Sequence, residues 1–157
     1  MREEALKQFF AGDLSANQLA MEAMASIKKV GPRETTIEVE EMASTYSINR
    51  ENMLALCDVG ISGTVPGEAV TAIAFMVLAS DHFEWDWDDE LISEILSDWS
   101  CPEVNYPLNP STFQMCRRWL LGSEIPPEKP LLAKSNERGR LVSMRRKVGA
   151  KSGGPNT

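Results

Sequence analysis

The sequence predicts an all-α fold: a compact bundle of about five or six helices with short connections, followed by a flexible C-terminal tail. Three observations carry this. Apolar residues recur at helical spacing from Leu6 to Leu120. The segments so defined are separated by capping residues, glycines and prolines. After Gly122 the apolar pattern stops, and Pro126, Pro127, Pro130 and Pro155 are scattered among glycines and serines. So few apolar groups do not offset the entropy of ordering. The chain therefore divides into an acidic helical domain, residues 1–122, and a basic, disordered tail, residues 123–157, in which a short helix around Leu141 to Val148 is the one candidate element.

Within the domain, Leu6, Phe9 and Phe10 fall on one side of a first helix over residues 2–11, which Gly12 stops. Ser15 with Gln18 forms a capping box for a helix carrying Leu19, Ala20, Ala23, Met24 and Ile27, with Met21 and Met24 read as core, and Gly31-Pro32 ends it. Residues 35–40, TTIEVE, alternate weakly like a strand. No partner strand is visible, so they read as a loop or helix approach. Asn49 caps a helix with Met53, Leu54, Leu56 and Cys57, closed by Gly60.

Pro66 sits at the favoured first position of an almost wholly apolar helix (Val70, Ile73, Ala74, Val77, Leu78), the most buried of the set. Asp86 or Asp88 caps the next helix, with Asp89 and Glu90 in its first turn, where the helix dipole favours anions. Its buried face is Leu91, Ile92, Ile95, Leu96 and Trp99, and Ser100-Cys101-Pro102 ends it. Asn109-Pro110 opens the last helix, with Phe113, Cys116, Trp119 and Leu120, and Gly122 closes it.

Composition excludes whole classes. At 157 residues, 43% hydrophobic and 25% charged, the chain is long enough for a core without disulfides and is neither fibrous nor disordered throughout. Three cysteines without a CxxC indicate neither a disulfide framework nor a zinc cluster. No apolar run reaches the ~18 residues of a membrane span, and the first residues lack the apolar stretch of a secretory signal. The expectation is a reduced, cytoplasmic protein with no cofactor and no metal.

Charge is the informative feature. The net charge is −7, which argues against general nucleic-acid binding by the acidic domain. Residues 1–122 hold eight basic and 20 acidic residues, a net of −12, while the tail is net +5. Between Arg50 and Arg117 lie twelve acids and neither Lys nor Arg. These acids have no basic neighbour in sequence with which to form local ion pairs. Solubility alone does not require such segregation.

The densest stretch is Asp81-His82-Phe83-Glu84-Trp85-Asp86-Trp87-Asp88-Asp89-Glu90, with six acids, a histidine and three aromatics in ten residues. Two readings fit. In one, the segment is a connection whose aromatics anchor in the core while its acids cap the following helix. In the other, carboxylates around aromatic anchors form a surface that steers and holds a basic protein. Both hold together if one tryptophan is buried and the acids are exposed. The candidate contact residues are Glu84, Trp85, Asp86, Trp87, Asp88, Asp89, Glu90, Glu94 and Tyr106.

Chemical motifs are otherwise absent. Asp86, Asp88 and Glu90 match the first alternating ligands of a calcium loop, but Leu91 stands where glycine is needed and Ser97 where a bidentate glutamate is needed. Asp86-Trp87-Asp88-Asp89 resembles the DxDD of class II terpene cyclases, a four-residue match in a far shorter chain. His82, the lone histidine, lacks a GxSxG partner and reads as a loop residue. Gly60, Gly63 and Gly67 lack the lysine of a phosphate loop. Cys57 and Cys116 read as small core residues, and Trp99 and Trp119 as core aromatics.

The phrases Leu54-Ala55-Leu56-Cys57-Asp58, Ala79-Ser80-Asp81, Asp98-Trp99-Ser100, Pro102-Glu103, Asn105-Tyr106-Pro107-Leu108 and Arg118-Trp119-Leu120-Leu121-Gly122 resemble small, acidic, helical immunity proteins of bacterial polymorphic and contact-dependent toxin systems. They touch about half of the chain and are packing and turn motifs. The resemblance implies a non-enzymatic toxin inhibitor. Charge supports the same expectation, since effectors that attack nucleic acids carry basic clefts and a carboxylate face associates with them quickly. The alternative is a regulatory or adaptor helical domain whose basic tail contacts nucleic acid, lipid or its own body. A small enzyme would need a pocket joining His82, a cysteine and an acid.

Overall fold

The structure, a computed structural model, describes residues 1–128 and the backbone of residues 141–147. Among the described residues there are six helices: α1 (Glu3–Ala11), α2 (Ala16–Ser26), α3 (Arg50–Ile61), α4 (Gly67–Ala79), α5 (Glu90–Ser100) and α6 (Pro110–Leu120). Five strands accompany them: β1 (Ile27–Lys29), β2 (Glu34–Glu40), β3 (Tyr46–Ile48), β4 (Phe83–Trp85) and β5 (Leu141–Lys147). The fold is therefore mixed α/β, and the all-α expectation is corrected.

The correction turns on β2. Its period of two is real: Thr35, Ile37 and Val39 are buried while Glu34 and Glu40 face solvent. The partners that local sequence did not show are β1, antiparallel along one edge, and β5, parallel along the other, in a sheet of order β1-β2-β5. The segment expected to form a short helix near Leu141 is that strand. Of the rest of the expected tail, residues 123–128 form neither helix nor strand, and residues 129–140 and 148–157 lie outside the described residues. A second sheet pairs β3 with β4 in parallel, Tyr46 opposite Phe83 and Ile48 opposite Trp85.

The helices follow the sequence closely. Gly12 closes α1 with φ 82° and Gly122 follows α6 with φ 73°. The Ser15–Gln18 capping box is reciprocal, at 3.0 and 3.2 Å. Asn49 forms an equivalent box with Asn52 at the start of α3. Three details differ. Pro66 is the N-cap of α4 and not its first residue. Gly60 does not end α3; it is buried inside the helix, where a Cβ would stand 2.5 Å from the Phe113 ring of α6. α2 stops at Ser26, and Met21, 72% exposed, and Met24 lie on its open side instead of in the core.

Seven residues of α4 are buried, from Ala69 to Val77, and the helix packs against α2, α5 and β2. On the far side α3 packs on α6, with Cys57 and Cys116 buried there. Trp99 of α5 meets Phe113 edge-on, with ring centroids 5.6 Å apart. Burial of such side chains, at roughly 1.5–3 kcal/mol each, makes the helical core the main source of stability. The connection between β3 and β4 runs through α3 and α4, and this crossover positions the acidic segment that follows β4.

Candidate functional site

The segment 81–90 begins as a strand and ends as a helix. Tyr46 donates its backbone N–H to His82 O at 2.8 Å and starts the β3–β4 ladder. Phe83 is buried, Glu84 is exposed, and Trp85 is half-buried against the core. The chain then turns. Asp86 accepts the Asp88 N–H on Oδ1 at 2.9 Å and the Asp89 N–H on its carbonyl at 3.0 Å, so a local Asx-type turn replaces an extended loop. At the top of this turn Trp87 is 89% exposed, its ring 6.5 Å from that of Trp85.

What holds the turn in place is Arg50. Parallel pairing puts the end of β3 beside the end of β4, and α3 begins two residues later with Arg50. Its Nε donates to Asp89 Oδ2 at 2.7 Å and its Nη2 to Asp89 Oδ1 at 3.0 Å. Nη1 donates to the Leu120 carbonyl at the end of α6 at 3.1 Å. The guanidinium holds the Asp89 carboxyl below its ordinary value, and the carboxylate in turn raises Arg50. A forked, charge-assisted pair of this kind has a defined geometry. Asp89 is also the N-cap residue of α5, a place expected for Asp86 or Asp88, and its side chain makes no cap bond.

The nine candidate contact residues divide accordingly. Glu84, Asp86, Asp88 and Glu90 are exposed around Trp87, and Glu94 lies exposed one turn along α5 from Glu90. Asp89 and Trp85 are half-buried and fix the turn to the body. Tyr106 is apart from this group: it is half-buried in the segment before α6, with its ring edge-on to Trp119 at 6.2 Å. The segment thus places Trp85 toward the core and Trp87 outward, with Glu84, Asp86, Asp88 and Glu90 in solvent.

Two residues that sequence reasoning did not assign matter here. Arg50 had been only the boundary of the basic-free interval. Ion pairs cross that interval from its ends, Arg50 to Asp89 and Arg117 to Asp58 at 3.0 Å, so these two of its acids find cations far away in sequence. The second is Glu3. Its side chain is 0% exposed, and Oε2 lies 2.9 Å from His82 Nδ1 and accepts the Met42 N–H at 3.0 Å. His82 is therefore tied to α1 just before β4. An acid in the first turn of an amphipathic helix reads as a dipole partner; nothing local distinguishes a buried one.

The groups a small enzyme would need are dispersed. His82 meets Glu3, Cys57 and Cys116 are buried between α3 and α6, and Cys101 is exposed after α5. Burial pushes the Cys57 thiol well above its ordinary value, with Cys116 adding to the effect. A groove of about 520 Å³ lies between β1, the start of α4 and the segment before α6, lined by Lys29, Thr35, Glu68 and Leu108 among others. Among the described residues no three His, Cys, Asp or Glu side chains form a metal-binding group, and no helix is long and apolar enough to cross a membrane.

The chain matches no protein-family model, no curated protein sequence and no solved structure. The likeness to immunity proteins therefore rests on the residues quoted for it.

Proposed function

We propose that the protein is a non-enzymatic, cytoplasmic immunity protein that neutralises a basic bacterial effector by docking it on the acidic turn around Trp87. One observation carries the reading. An 89%-exposed tryptophan stands on a turn anchored by a forked ion pair and ringed by the exposed carboxylates of Glu84, Asp86, Asp88 and Glu90. Because the turn that carries it is already anchored, little backbone entropy is lost on binding, and tryptophan is among the residues that dominate interface energetics. The carboxylates supply attraction at a distance and fix which partner is accepted.

The test is capture from the native organism's lysate with tagged wild-type and Trp87→Ala proteins, washed at rising salt. The expected result is one basic protein retained by the wild type, released by salt, absent from the variant, and whose toxicity is suppressed by co-expression of the wild type. An identical set of captured proteins on both baits overturns the reading.

The second reading, an adaptor domain that uses its basic tail, draws on the pairing of residues 141–147 with β2, a contact of the tail with its own body. Deleting residues 123–157 separates the two. Capture survives the deletion if Trp87 carries the function and is lost if the tail does.

A further inference from the structure

The two edges of β2 are covered in different ways. Val30 donates its N–H to Glu34 O, and Glu40 donates to Met1 O at 2.9 Å. The Met1 ammonium donates to Glu38 O. Residues 34, 38 and 40 thus turn their backbone groups to the edge shared by β1 and the N-terminal residues. By alternation Thr35, Ile37 and Val39 turn theirs to the opposite edge, where β5 is the paired strand among the described residues. With β5 removed, β2 keeps one paired edge and its buried inner face. The open edge is then a preformed acceptor for another strand.

The register of β5 is specific in charge. Seven consecutive pairs run from Glu34 opposite Leu141 to Glu40 opposite Lys147, with Glu38 opposite Arg145. Glu34, Glu38 and Glu40 alternate on the outward side of β2, and the positions facing the last two are basic. Opposite charges directly across a ladder favour pairing, and like charges oppose it. β5 is an edge strand in a parallel pair, the weaker of the two ladder types.

We infer that the outer edge of β2 is a strand-receiving site for a basic, extended segment of a protein partner running parallel to β2, and that β5 guards it in cis. This rests on the proposed basicity of the partner but uses a different surface from Trp87. The guard keeps an unpaired edge from aggregating. It also sets a threshold, because a partner strand must compete with a tethered one at high effective concentration.

The test uses the full chain and a synthetic peptide of residues 139–149, GRLVSMRRKVG, as stand-in for a partner strand. In the observed register the N–H groups of Ser143 and Arg145 donate to Thr35 and Ile37. Ser143→Pro with Arg145→Pro should therefore vacate the edge. The expected result is that this variant binds fluorescent peptide at least about tenfold tighter than wild type. Glutamate at the peptide's Arg145 and Lys147 positions should weaken binding by about tenfold, and Glu38→Lys with Glu40→Lys in the protein should restore it. A second release variant, Arg145→Glu with Lys147→Glu, repeats the test without proline. If both release variants keep the wild-type circular dichroism yet bind no peptide, or bind both peptides alike, the inference is overturned. A wild-type chain that is a dimer by light scattering, and a monomer once the edge is vacated, assigns the edge to a second copy and also overturns it. Trp87→Ala should leave peptide binding unchanged, so failure of the Trp87 reading remains distinguishable.

Discussion

Arg50 reaches Asp89 through both arms of its fork, at 2.7 and 3.0 Å, and at the same time holds the Leu120 carbonyl at 3.1 Å. Three helices thereby converge on one guanidinium, and the turn bearing Trp87 is fastened to that point. Arg50 is consequently a positioning residue for the proposed docking surface.

Arg50→Ala should separate affinity from stability. The pair is partly exposed, with 44% of the Arg50 side chain and 19% of Asp89 in solvent, so solvent screening limits its loss to about 0.5–1 kcal/mol of folding stability. Partner affinity should fall by about tenfold as the turn loses its fixed geometry. Arg50→Lys should recover the charge but not the fork, and with it only part of the affinity. Calorimetric titration with the captured partner and a denaturant curve on each variant check this. Unchanged affinity with the turn unfastened would show that preorganisation contributes nothing.

Acid should act on two carboxylates. Asp89 is held below its ordinary value of 3.8 by Arg50. Burial works to raise Glu22, but hydrogen bonds from the Arg2 side chain and backbone outweigh it and hold the group below 4.5. In both cases the folded pKa lies below the unfolded one, so the folded state binds fewer protons. The stabilisation is complete above the ordinary carboxylate values and is lost as pH falls through the folded ones. Melting temperature should be insensitive to these groups between pH 6 and 7, taken as about two units above the ordinary values, and fall below about pH 4. Asp89→Asn with Glu22→Gln should flatten that acid limb.

Gly60→Ala should destabilise the α3–α6 contact although alanine is the better helix former. The added Cβ would meet Phe113 Cδ2 at 2.5 Å and Cγ at 2.7 Å, and both helices are fixed by packing elsewhere. Overpacking of this kind costs about 1–3 kcal/mol. Phe113→Leu in the Gly60→Ala background should recover part of the loss. Urea unfolding of the two single variants and the double variant gives the coupling directly.

The same glycine shows where sequence reading reached its limit. A glycine near the end of a periodic segment reads as a stop, and only the approach of Phe113, from more than 50 residues away in sequence, shows that it is a packing site. The helices were legible because capping boxes at Ser15 and Asn49 and apolar spacing are local signals. The alternation of Thr35, Ile37 and Val39 was equally visible, yet its meaning depended on a strand at the other end of the chain. β3 and β4, three residues each, carry no period at all. In the candidate site the acids and Trp87 were legible by composition. Arg50 and Glu3 were not, because their roles exist only after β3 and β4 pair and α1 closes on His82.

Glu3 also supports a prediction. Its carboxylate accepts the Met42 N–H and meets His82 with no exposure to solvent, while Oε1 is buried without a partner. Glu3→Ala would leave the Met42 N–H unsatisfied, and a buried donor in that state costs about 1–3 kcal/mol. Glu3→Gln keeps an acceptor of the same reach and should cost less than Glu3→Ala. Thermal melts of the two variants at pH 7 decide it; equal losses would mean that the negative charge, not the acceptor, is what the site needs.

Removal of residues 123–157 should act on β2 and not on the Trp87 turn. Deletion takes away β5 and opens the backbone groups of Thr35, Ile37 and Val39 along one edge, while β1 and the N-terminal residues continue to hold the other. An exposed edge with a buried inner face pairs with whatever strand is available. The truncated chain should therefore self-associate as concentration rises, seen as growing mass in light scattering. Glu34, Glu38 and Glu40 should slow this at low salt through like-charge repulsion and permit it as salt screens them. Partner affinity measured at concentrations where the chain is monomeric should be no weaker than that of the full chain, because Arg50, Asp89 and Trp87 are untouched and the guard on β2 is gone. A loss of affinity on truncation would move the binding function from the acidic turn to the basic segment.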